Sequence, residues 1–326
     1  MAVKIGIPSA LYYHQFYPFW KTFFNEIGVE VVTSGRTTKK ILNDGVKEAL
    51  ADACVPVKLF FGHTIALKDK VDFLFIPRVV CMNKRTVYCP KFLGLPDMIR
   101  HSLENLPEII DVRLDARDGT AAIFRAYYGL AKRFTSNKYR IVSAYFKAGR
   151  ALADFNRLMQ LGISLPDAME SVLNGKTPDY TQHDTKLRFA VLGYPYLVFD
   201  EYINVNILGK LDRLGVQAIT FENLPQDELI KQKYGTNKKV FWSYSDAILR
   251  SAYYLFESKK VDGIIHTTVF GCGPDSIVDK LLEIEAKKQG DLPFTVISFD
   301  EHTGEGGTAT RLEAFVDMVK RKRGVY

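Results

Sequence analysis

Short apolar runs alternate with segments of helical periodicity along the chain. Val3 to Ile7 and Asp72 to Pro77 have the length and the continuous apolar character of buried strands. Between such runs, His14 to Ile27 and Thr38 to Leu50 repeat apolar residues at the three- and four-residue spacing of a helix face. Strands that alternate with helices in this way predict a parallel α/β sheet.

The second half of the chain repeats the order of the first half. The remaining predicted strands are Val29 to Thr33, Ile109 to Leu114, Lys186 to Leu192, Val216 to Phe221, Asp262 to Thr267 and Phe294 to Phe299. The remaining predicted helices are Leu95 to Leu106, Glu201 to Leu214, Tyr244 to Ser258, Pro274 to Lys288 and Thr308 to Lys322. Gly28-Val29-Glu30 corresponds to Gly215-Val216-Gln217, and Val71-Asp72-Phe73 corresponds to Val261-Asp262-Gly263. These matches predict an internal duplication.

The predicted fold class is α/β, with two similar Rossmann- or flavodoxin-like lobes and parallel sheets. The first lobe covers residues 1–114, the second covers residues 186–326, and a helical segment over residues 115–185 joins them. Asn174 to Asp184, at the end of that segment, is rich in Gly, Pro, Asp and Thr and predicts a linker. Because ligands bind outside the carboxyl ends of parallel strands, two such lobes predict a cleft between those ends.

The composition is that of an ordinary globular protein. The chain has 326 residues, 47% of them hydrophobic, which suits about two domains and excludes disordered and fibrous classes. No apolar run approaches the roughly 18 residues that a membrane-spanning helix needs. The segment from Met1 to Trp20 lacks a signal-peptide cleavage pattern, so a cytoplasmic protein is expected.

The net charge of +7 is concentrated in one segment, Arg113 to Arg150, which contains nine Lys or Arg and two Asp. A basic helical strip with interleaved aromatic residues can meet nucleic acid, an acidic protein or the phosphates of a coenzyme. A solvated helix face is the favoured interpretation. No nucleic-acid-binding motif is present, so a nucleic-acid partner is not expected.

Four cysteines fall near the predicted carboxyl ends of strands. Cys54 precedes an apolar helix, Cys81 and Cys89 follow the third strand, and Cys272 follows a strand of the second lobe. Thiolates before helix N-termini are stabilised by the helix dipole, and thiolate ligation is typical of iron–sulfur and zinc sites. The chain has no C-x₂-C spacing, however, and free cysteines are often simply buried. The spacing alone leaves both a metal site and inert thiols open.

Four segments resemble the 2-hydroxyacyl-CoA dehydratase component D superfamily, most closely its branch of uncharacterised activase-associated proteins. They are Cys54 to Lys58 (CVPVK), Cys89 to Asp97 (CPKFLGLPD), Phe270 to Ser276 (FGCGPDS) and Asp300 to Phe315. The resemblance implies that Cys54, Cys89 and Cys272 bind a four-iron four-sulfur (4Fe-4S) cluster between the lobes, with one iron open to water, a thiol or substrate. It also implies an ATP-hydrolysing iron–sulfur activator as partner, and a homodimer or a heterodimer with a related subunit.

Other residues are candidates for roles around such a cluster. Cys81 departs from the three-cysteine pattern and is interpreted as a bystander, with a fourth ligand as the alternative. Candidate acid–base groups are Glu301, His302, His266 and Tyr194.

The sequence thus favours an iron–sulfur enzyme, a lyase or oxidoreductase of the dehydratase type. It would accept low-potential electrons from the activator and drive a reductive or radical dehydration of an acyl-CoA or another small molecule. Two alternatives stay open. One is a non-catalytic cluster carrier or electron relay, and the other is a metal-free, two-lobed small-molecule binding protein.

Overall fold

The structure is a computed structural model that describes residues 2–178, 187–235 and 240–325. The chain divides into two compact units. The first comprises Met1–Met159, Ile163–Pro178 and Phe241–Ser243, and the second comprises Gln160–Gly162, Asp179–Val240 and Tyr244–Tyr326. Of the predicted linker, residues 179–184 lie outside the described part of the chain.

The first unit is built on a parallel sheet with the strand order β2-β1-β3-β5, and β4 and β6 form a separate parallel pair. Its elements, in chain order, are β1 (Lys4–Ile7), α1 (Tyr13–Glu26), β2 (Glu30–Thr33), α2 (Lys39–Glu48), α3 (Val55–Ile65), β3 (Phe73–Phe75), β4 (Arg78–Cys81), α4 (Pro90–Ser102), β5 (Glu108–Ile110), β6 (Arg113–Asp115), α5 (Thr120–Ala131), α6 (Lys138–Gln160) and α7 (Leu165–Asn174).

Three details of the first unit differ from the sequence prediction. The single strand predicted over Ile109 to Leu114 is two strands, which belong to different sheets. Strand β4 was not predicted. Helix α4 begins at Pro90 rather than at Leu95, and it includes Pro96 in its interior.

The second unit contains a parallel sheet with the order β10-β9-β7-β8. Its elements are β7 (Leu187–Leu192), α8 (Pro195–Val198), α9 (Ile207–Arg213), β8 (Val216–Ile219), α10 (Gln226–Lys231), α11 (Ser243–Ser258), β9 (Gly263–Val269), α12 (Gly273–Gln289), β10 (Phe294–Phe299) and α13 (Glu305–Arg323). The helix predicted from Glu201 begins only at Ile207. Asn206 has a left-handed backbone, and its side chain accepts a hydrogen bond from Gly209 N, so it caps the helix there.

The predicted two-lobed parallel α/β fold is confirmed, and the two four-stranded sheets share one strand order, as a duplication would give. Each sheet places its first strand between the second and the third, and adds its last strand beyond the third. The backbone N–H of Lys4 donates to Asp72 at 2.8 Å, and the N–H of Arg188 donates to Asp262 at 2.9 Å. Two lobes thus repeat the same topology and the same side-chain contact between the first and third strands.

Aromatic residues fill the core of the first unit. Trp20 is fully buried against Tyr12 and Phe75, and its indole N–H donates a 2.9 Å hydrogen bond to the Tyr127 hydroxyl. Tyr127 lies on α5, so this bond attaches the helical segment to the sheet-bearing part of the unit.

Most basic side chains of the Arg113 to Arg150 segment have partners within the first unit. Their contacts are Arg113 and Arg117 with Asp115, Arg133 with Glu108, Arg140 with the Glu26 carbonyl, Lys147 with the Glu26 carboxylate, and Lys132 with the Tyr128 ring. Most of the strip therefore serves packing within the unit. Among the described helices, none is both long and apolar enough to cross a lipid bilayer.

Candidate functional site

Cys54 and Cys89 each cap the N-terminus of a helix in the first unit. Cys54 precedes α3, whose first turn contains Pro56, and Cys89 precedes α4, which begins at Pro90. Proline is well accommodated there because the first N–H groups of a helix have no partner within the helix. Both thiols are only partly buried, so a ligand can reach them.

The two thiols share one electrostatic environment. Burial raises the pKa of Cys54, while Lys91, backbone N–H groups and Lys58 act in the opposite direction. Burial also raises the pKa of Cys89, the backbone N–H and the charge of Lys91 lower it, and a negative charge on Cys54 raises it further. The sulfurs therefore lie close enough to repel each other as thiolates, and Lys91 lies near both.

A close contact between α2 and α3 fixes the helix that carries Cys54. A Cβ atom added at Gly62 would lie 1.8 Å from the Ile41 carbonyl oxygen, and one added at Gly45 would lie 1.9 Å from the Lys58 carbonyl oxygen. Only glycine allows the two backbones to approach this closely. The direction of α3, and with it the position of the Cys54 thiol, depends on this pair of glycines.

Helix α4, which carries Cys89, is held by a bidentate ion pair. The Arg78 guanidinium donates to the two Asp97 carboxylate oxygens at 2.5 and 2.7 Å, and to Asp111 at 2.6 Å. Arg78 lies on β4 and Asp97 lies on α4, so the contact joins the helix to the strand pair beside it. The hydrogen bonds from Arg78 lower the pKa of Asp97.

Cys272 has the same local setting in the second unit. It follows β9, caps α12 and precedes Pro274 in the first helical turn. Its side chain is nearly buried, with 7% exposed, whereas the neighbouring Phe270 is 76% exposed. A cysteine before a proline-containing helix start therefore occurs three times in the described chain, at Cys54, Cys89 and Cys272.

The cysteines are distributed over both units. Cys54 and Cys89 belong to the first unit and Cys272 belongs to the second, so neither unit by itself contains all three. Within the described residues, no group of three or more His, Cys, Asp or Glu side chains is placed to hold a metal ion. The Cys54 and Cys89 pair nevertheless has the donor chemistry of iron–sulfur ligation, with two accessible thiols held together at helix N-termini.

Cys81 has a different environment from the other three cysteines. It is fully buried in β4, where it is paired in register with Asp115 of β6. A charge on Cys81 is among the groups that raise the pKa of Arg117, which places the thiol near that guanidinium. This is the setting of a core residue. The role of Cys81 as a bystander stays a prediction.

His266 is fully buried on β9 between two carboxylates of α12. Its Nδ1 donates to Asp279 Oδ1 at 3.2 Å, and its Nε2 lies 3.4 Å from Asp275 Oδ1. Burial disfavours the charged ring, but the two carboxylates outweigh this effect and raise the pKa of His266 to about 9. The two carboxylates therefore favour the protonated form of the buried ring.

The other predicted acid–base residues are dispersed over the second unit. Tyr194 is buried at the start of α8, and its hydroxyl lies 2.8 Å from the Ser245 hydroxyl. Glu301 is half-buried and His302 is exposed, both in the turn before α13. The catalytic roles of these residues stay predictions.

The sequence interpretation missed the ion pairs that hold the cysteine-bearing helices. Asp275 and Asp279 are four residues apart, a spacing that places two carboxylates on one helix face. In the sequence, the only pointer to the partner of these two carboxylates is His266, in the strand before the helix. For Arg78, no spacing in the sequence points to Asp97 or Asp111.

The sequence matches two family descriptions. One is the CoA enzyme activase uncharacterised domain, over residues 4–224, and the other is the 2-hydroxyglutaryl-CoA dehydratase D-component, over residues 198–319. No curated protein matches the chain. The two matches together cover all four cysteines, and the resemblance seen in the sequence motifs is confirmed. Because the first match covers more than half of the 326 residues, the chain belongs to the CoA enzyme activase uncharacterised domain family, within the 2-hydroxyacyl-CoA dehydratase D-component superfamily.

Proposed function

We propose that this chain is an iron–sulfur protein in which Cys54, Cys89 and Cys272 together bind a four-iron four-sulfur cluster. It receives low-potential electrons from an ATP-hydrolysing activator protein and uses them in a reductive or radical dehydration. The substrate is an acyl-CoA or another small molecule. The protein works in the cytoplasm as a homodimer or as a heterodimer with a related subunit. Membership of the dehydratase superfamily supports this proposal.

The pairing of Cys54 with Cys89 is the observation that carries the proposal. Burial raises the pKa values of both thiols despite the nearby Lys91, so the paired thiolate form is disfavoured without a metal. Two adjacent thiolates in a partly buried place need a nearby cation to be stable. Iron ions supply that charge, and thiolate ligation then releases the two protons.

The chain's own contribution is the placement and charge balance of the ligands. When bound, the cluster supplies one-electron transfer and an iron with an open coordination position. The N–H groups at the starts of α3 and α4 stabilise negative charge on the ligating sulfurs. Lys91 offsets part of the remaining negative charge, and the glycine contact between α2 and α3 fixes one ligand. Glu301, His302 and Tyr194 are the candidates for proton transfer to or from substrate.

Iron and acid-labile sulfide, measured per chain on protein purified without oxygen, test the proposal. We expect about four of each, as for one cubane cluster. Substitution of Cys54, Cys89 or Cys272 by alanine should remove most of the iron, whereas Cys81→Ala, the matched control, should not. If iron and sulfide are both absent after anaerobic reconstitution, the proposal is wrong and a metal-free binding protein remains.

The control variant also tests the ligand count. If Cys81→Ala removes iron as completely as Cys89→Ala, the cluster has four protein ligands. Each iron of the cluster would then have a protein ligand, which would contradict an iron open to substrate.

An electron relay without catalysis is the second candidate function. Helix α6 favours it, because Tyr139 and Phe146 are 90% and 68% exposed. Among the described residues, the nearby Lys138 and Arg150 form no ion pair, so the face suits an acidic protein partner. Titration of the cluster-loaded protein with a 2-hydroxyacyl-CoA distinguishes the two functions. Saturable binding favours the enzyme, and no binding favours the relay.

A further inference from the structure

A buried histidine joins the first two turns of α12 to the centre of the second sheet. His266 lies on β9, which has neighbours on both sides, while Asp275 and Asp279 lie one turn apart on α12. His266 is 0% exposed and Asp275 is 1% exposed. Within the described chain, Nε2 of His266 and Oδ1 of Asp275 have no hydrogen-bond partner within bonding geometry, and they lie 3.4 Å from each other.

This contact lies one turn away from Cys272. Asp275 is the third residue of α12, and Cys272 is the residue that caps the helix. The Cys272 carbonyl oxygen accepts hydrogen bonds from the backbone N–H and the hydroxyl of Ser276, which makes the cap continuous with the first turn. Cys272 is thus hydrogen-bonded to the helical turn that carries Asp275, and its own backbone N–H donates to the Val269 carbonyl oxygen of β9.

Removal of His266, Asp275 or Asp279 should destabilise the start of α12. A buried ion pair contributes little net stability compared with an apolar contact of the same shape, but removal of one partner leaves an uncompensated buried charge. The helix end must then shift to bring water to that charge. Because Cys272 is the N-cap residue of α12, which begins at Gly273, we expect the shift to reach the cysteine.

The first unit contains a comparable contact. Arg78 of β4 holds Asp97 of α4, the helix that begins after Cys89. In both units, a basic side chain of a strand thus contacts a carboxylate of a helix that follows a cysteine. The basic residue is an arginine in the first unit and a histidine in the second.

We propose that His266, Asp275 and Asp279 form a clamp that positions Cys272, and that His266 is a positioning residue rather than an acid or base acting on substrate. The clamp consists of residues of this chain alone and needs no metal. Its value for cluster binding rests on the proposed function, since it matters there only if Cys272 is a ligand.

Alkylation of the reduced, metal-free protein tests the clamp. Iodoacetamide is added to the full chain, and mass spectrometry of the peptides gives a separate rate for each cysteine. We expect Asp275→Asn to raise the alkylation rate of Cys272 by about tenfold, which corresponds to about 1.4 kcal/mol of easier opening. The rates of Cys54 and Cys89 should not change, and they serve as internal controls.

Two further variants separate the clamp from general destabilisation. Ile265→Val removes one methyl group from the same strand and weakens the core without touching the clamp, so the Cys272 rate should stay within about twofold of the unsubstituted protein. Glu283→Gln breaks exposed ion pairs with Lys280 and Lys287 on the same helix, and it should have no effect.

Asp97→Asn in the first unit tests the comparable contact near Cys89. Asp97→Asn should raise the rate at Cys89 and leave Cys272 unchanged. If Asp275→Asn prevents folding, Asp279→Asn takes its place, because that side chain is partly exposed and tolerates the change better.

The clamp is contradicted if Asp275→Asn and Asp279→Asn leave the Cys272 rate unchanged, or if Ile265→Val raises it equally. Because no iron is present, neither result touches the proposed function. Conversely, selective exposure of Cys272 in a protein that never binds iron supports the clamp and contradicts the cluster.

Discussion

The buried charge on His266 makes the stability of the second unit depend on pH. The folded protein raises the pKa of this ring from 6.5 to about 9, so the folded state binds the proton more tightly than the unfolded state. The stabilisation is therefore fully present below pH 6.5 and is lost as the pH rises through 9. Asp275 and Asp279 are the charged groups that face the ring.

The magnitude follows from the size of the shift. Each unit of pKa difference corresponds to about 1.4 kcal/mol, so the free energy of unfolding should fall by about 3 kcal/mol between pH 6.5 and pH 10. A domain of this size is typically stable by 5–15 kcal/mol, so the change is large enough to measure. It should appear as a lower urea midpoint.

The positions of the tryptophans allow the two units to be followed separately. The chain has two tryptophans, Trp20 and Trp242, and both belong to the first unit. Tryptophan fluorescence therefore reports unfolding of the first unit, while circular dichroism at 222 nm reports both units. Urea titrations of the unsubstituted protein and of His266→Gln are compared at each pH, so that other groups that titrate above pH 9 cancel.

We expect the difference in unfolding free energy between the unsubstituted protein and His266→Gln to shrink by about 3 kcal/mol between pH 6.5 and pH 10. The change should appear in the unfolding transition of the second unit, which circular dichroism detects and tryptophan fluorescence does not. A difference that stays constant with pH would refute the reasoning. It would mean that the imidazole is neutral in the folded state and that a carboxylate holds the proton instead.

Three further predictions concern the first unit. Gly62→Ala should lower the urea midpoint of the tryptophan transition, with a loss of about 1–3 kcal/mol, because the added Cβ overlaps α2; an unchanged midpoint would contradict the helix contact. Tyr127→Phe leaves the buried Trp20 N–H unpaired and should cost about 1–3 kcal/mol in the same assay; no loss would mean that the indole has another acceptor. Lys91→Met should slow iodoacetamide alkylation of Cys54 and Cys89 at pH 8, because the pKa values of these two thiols rise further; rates equal to those of the unsubstituted protein would place the ammonium too far away to act.

The fold was predictable because its determinants are local. The alternation of apolar runs with helical periodicity locates the strands of the two four-stranded sheets, but it merges β5 with β6 and misses β4. The match between Asp72 and Asp262 indicates the repeat. The start of α4 was placed five residues late, at Leu95 instead of Pro90. Gly94 and Pro96 weaken the helical pattern there, and tertiary contacts override that weakness in the folded chain.

The site was predictable only in its ligand types. The sequence identifies Cys54 and Cys89 as thiols before helices, yet their proximity depends on how α3 and α4 pack in three dimensions. His266 illustrates the limit most clearly. A histidine at a strand end has the sequence signal of an acid–base residue, and only the packing of α12 against β9 reveals that two carboxylates enclose it.

The clamp also explains why a charged group occupies the core of the second sheet. A buried ion pair is a costly way to join a helix to a strand, since an apolar residue of similar volume is usually as stabilising. An apolar contact, however, permits sliding, whereas three charged groups at fixed distances define one position of α12 relative to β9. Such precision is useful only if something at the helix end must be placed accurately, and the residue at that end is Cys272.

Replacement of all three clamp residues by apolar ones, as in His266→Leu with Asp275→Leu and Asp279→Leu, should therefore preserve or raise the urea midpoint of the second unit, while Cys272 becomes more reactive and iron retention falls. A triple variant that keeps both Cys272 protection and iron would show that the charges have no positioning role.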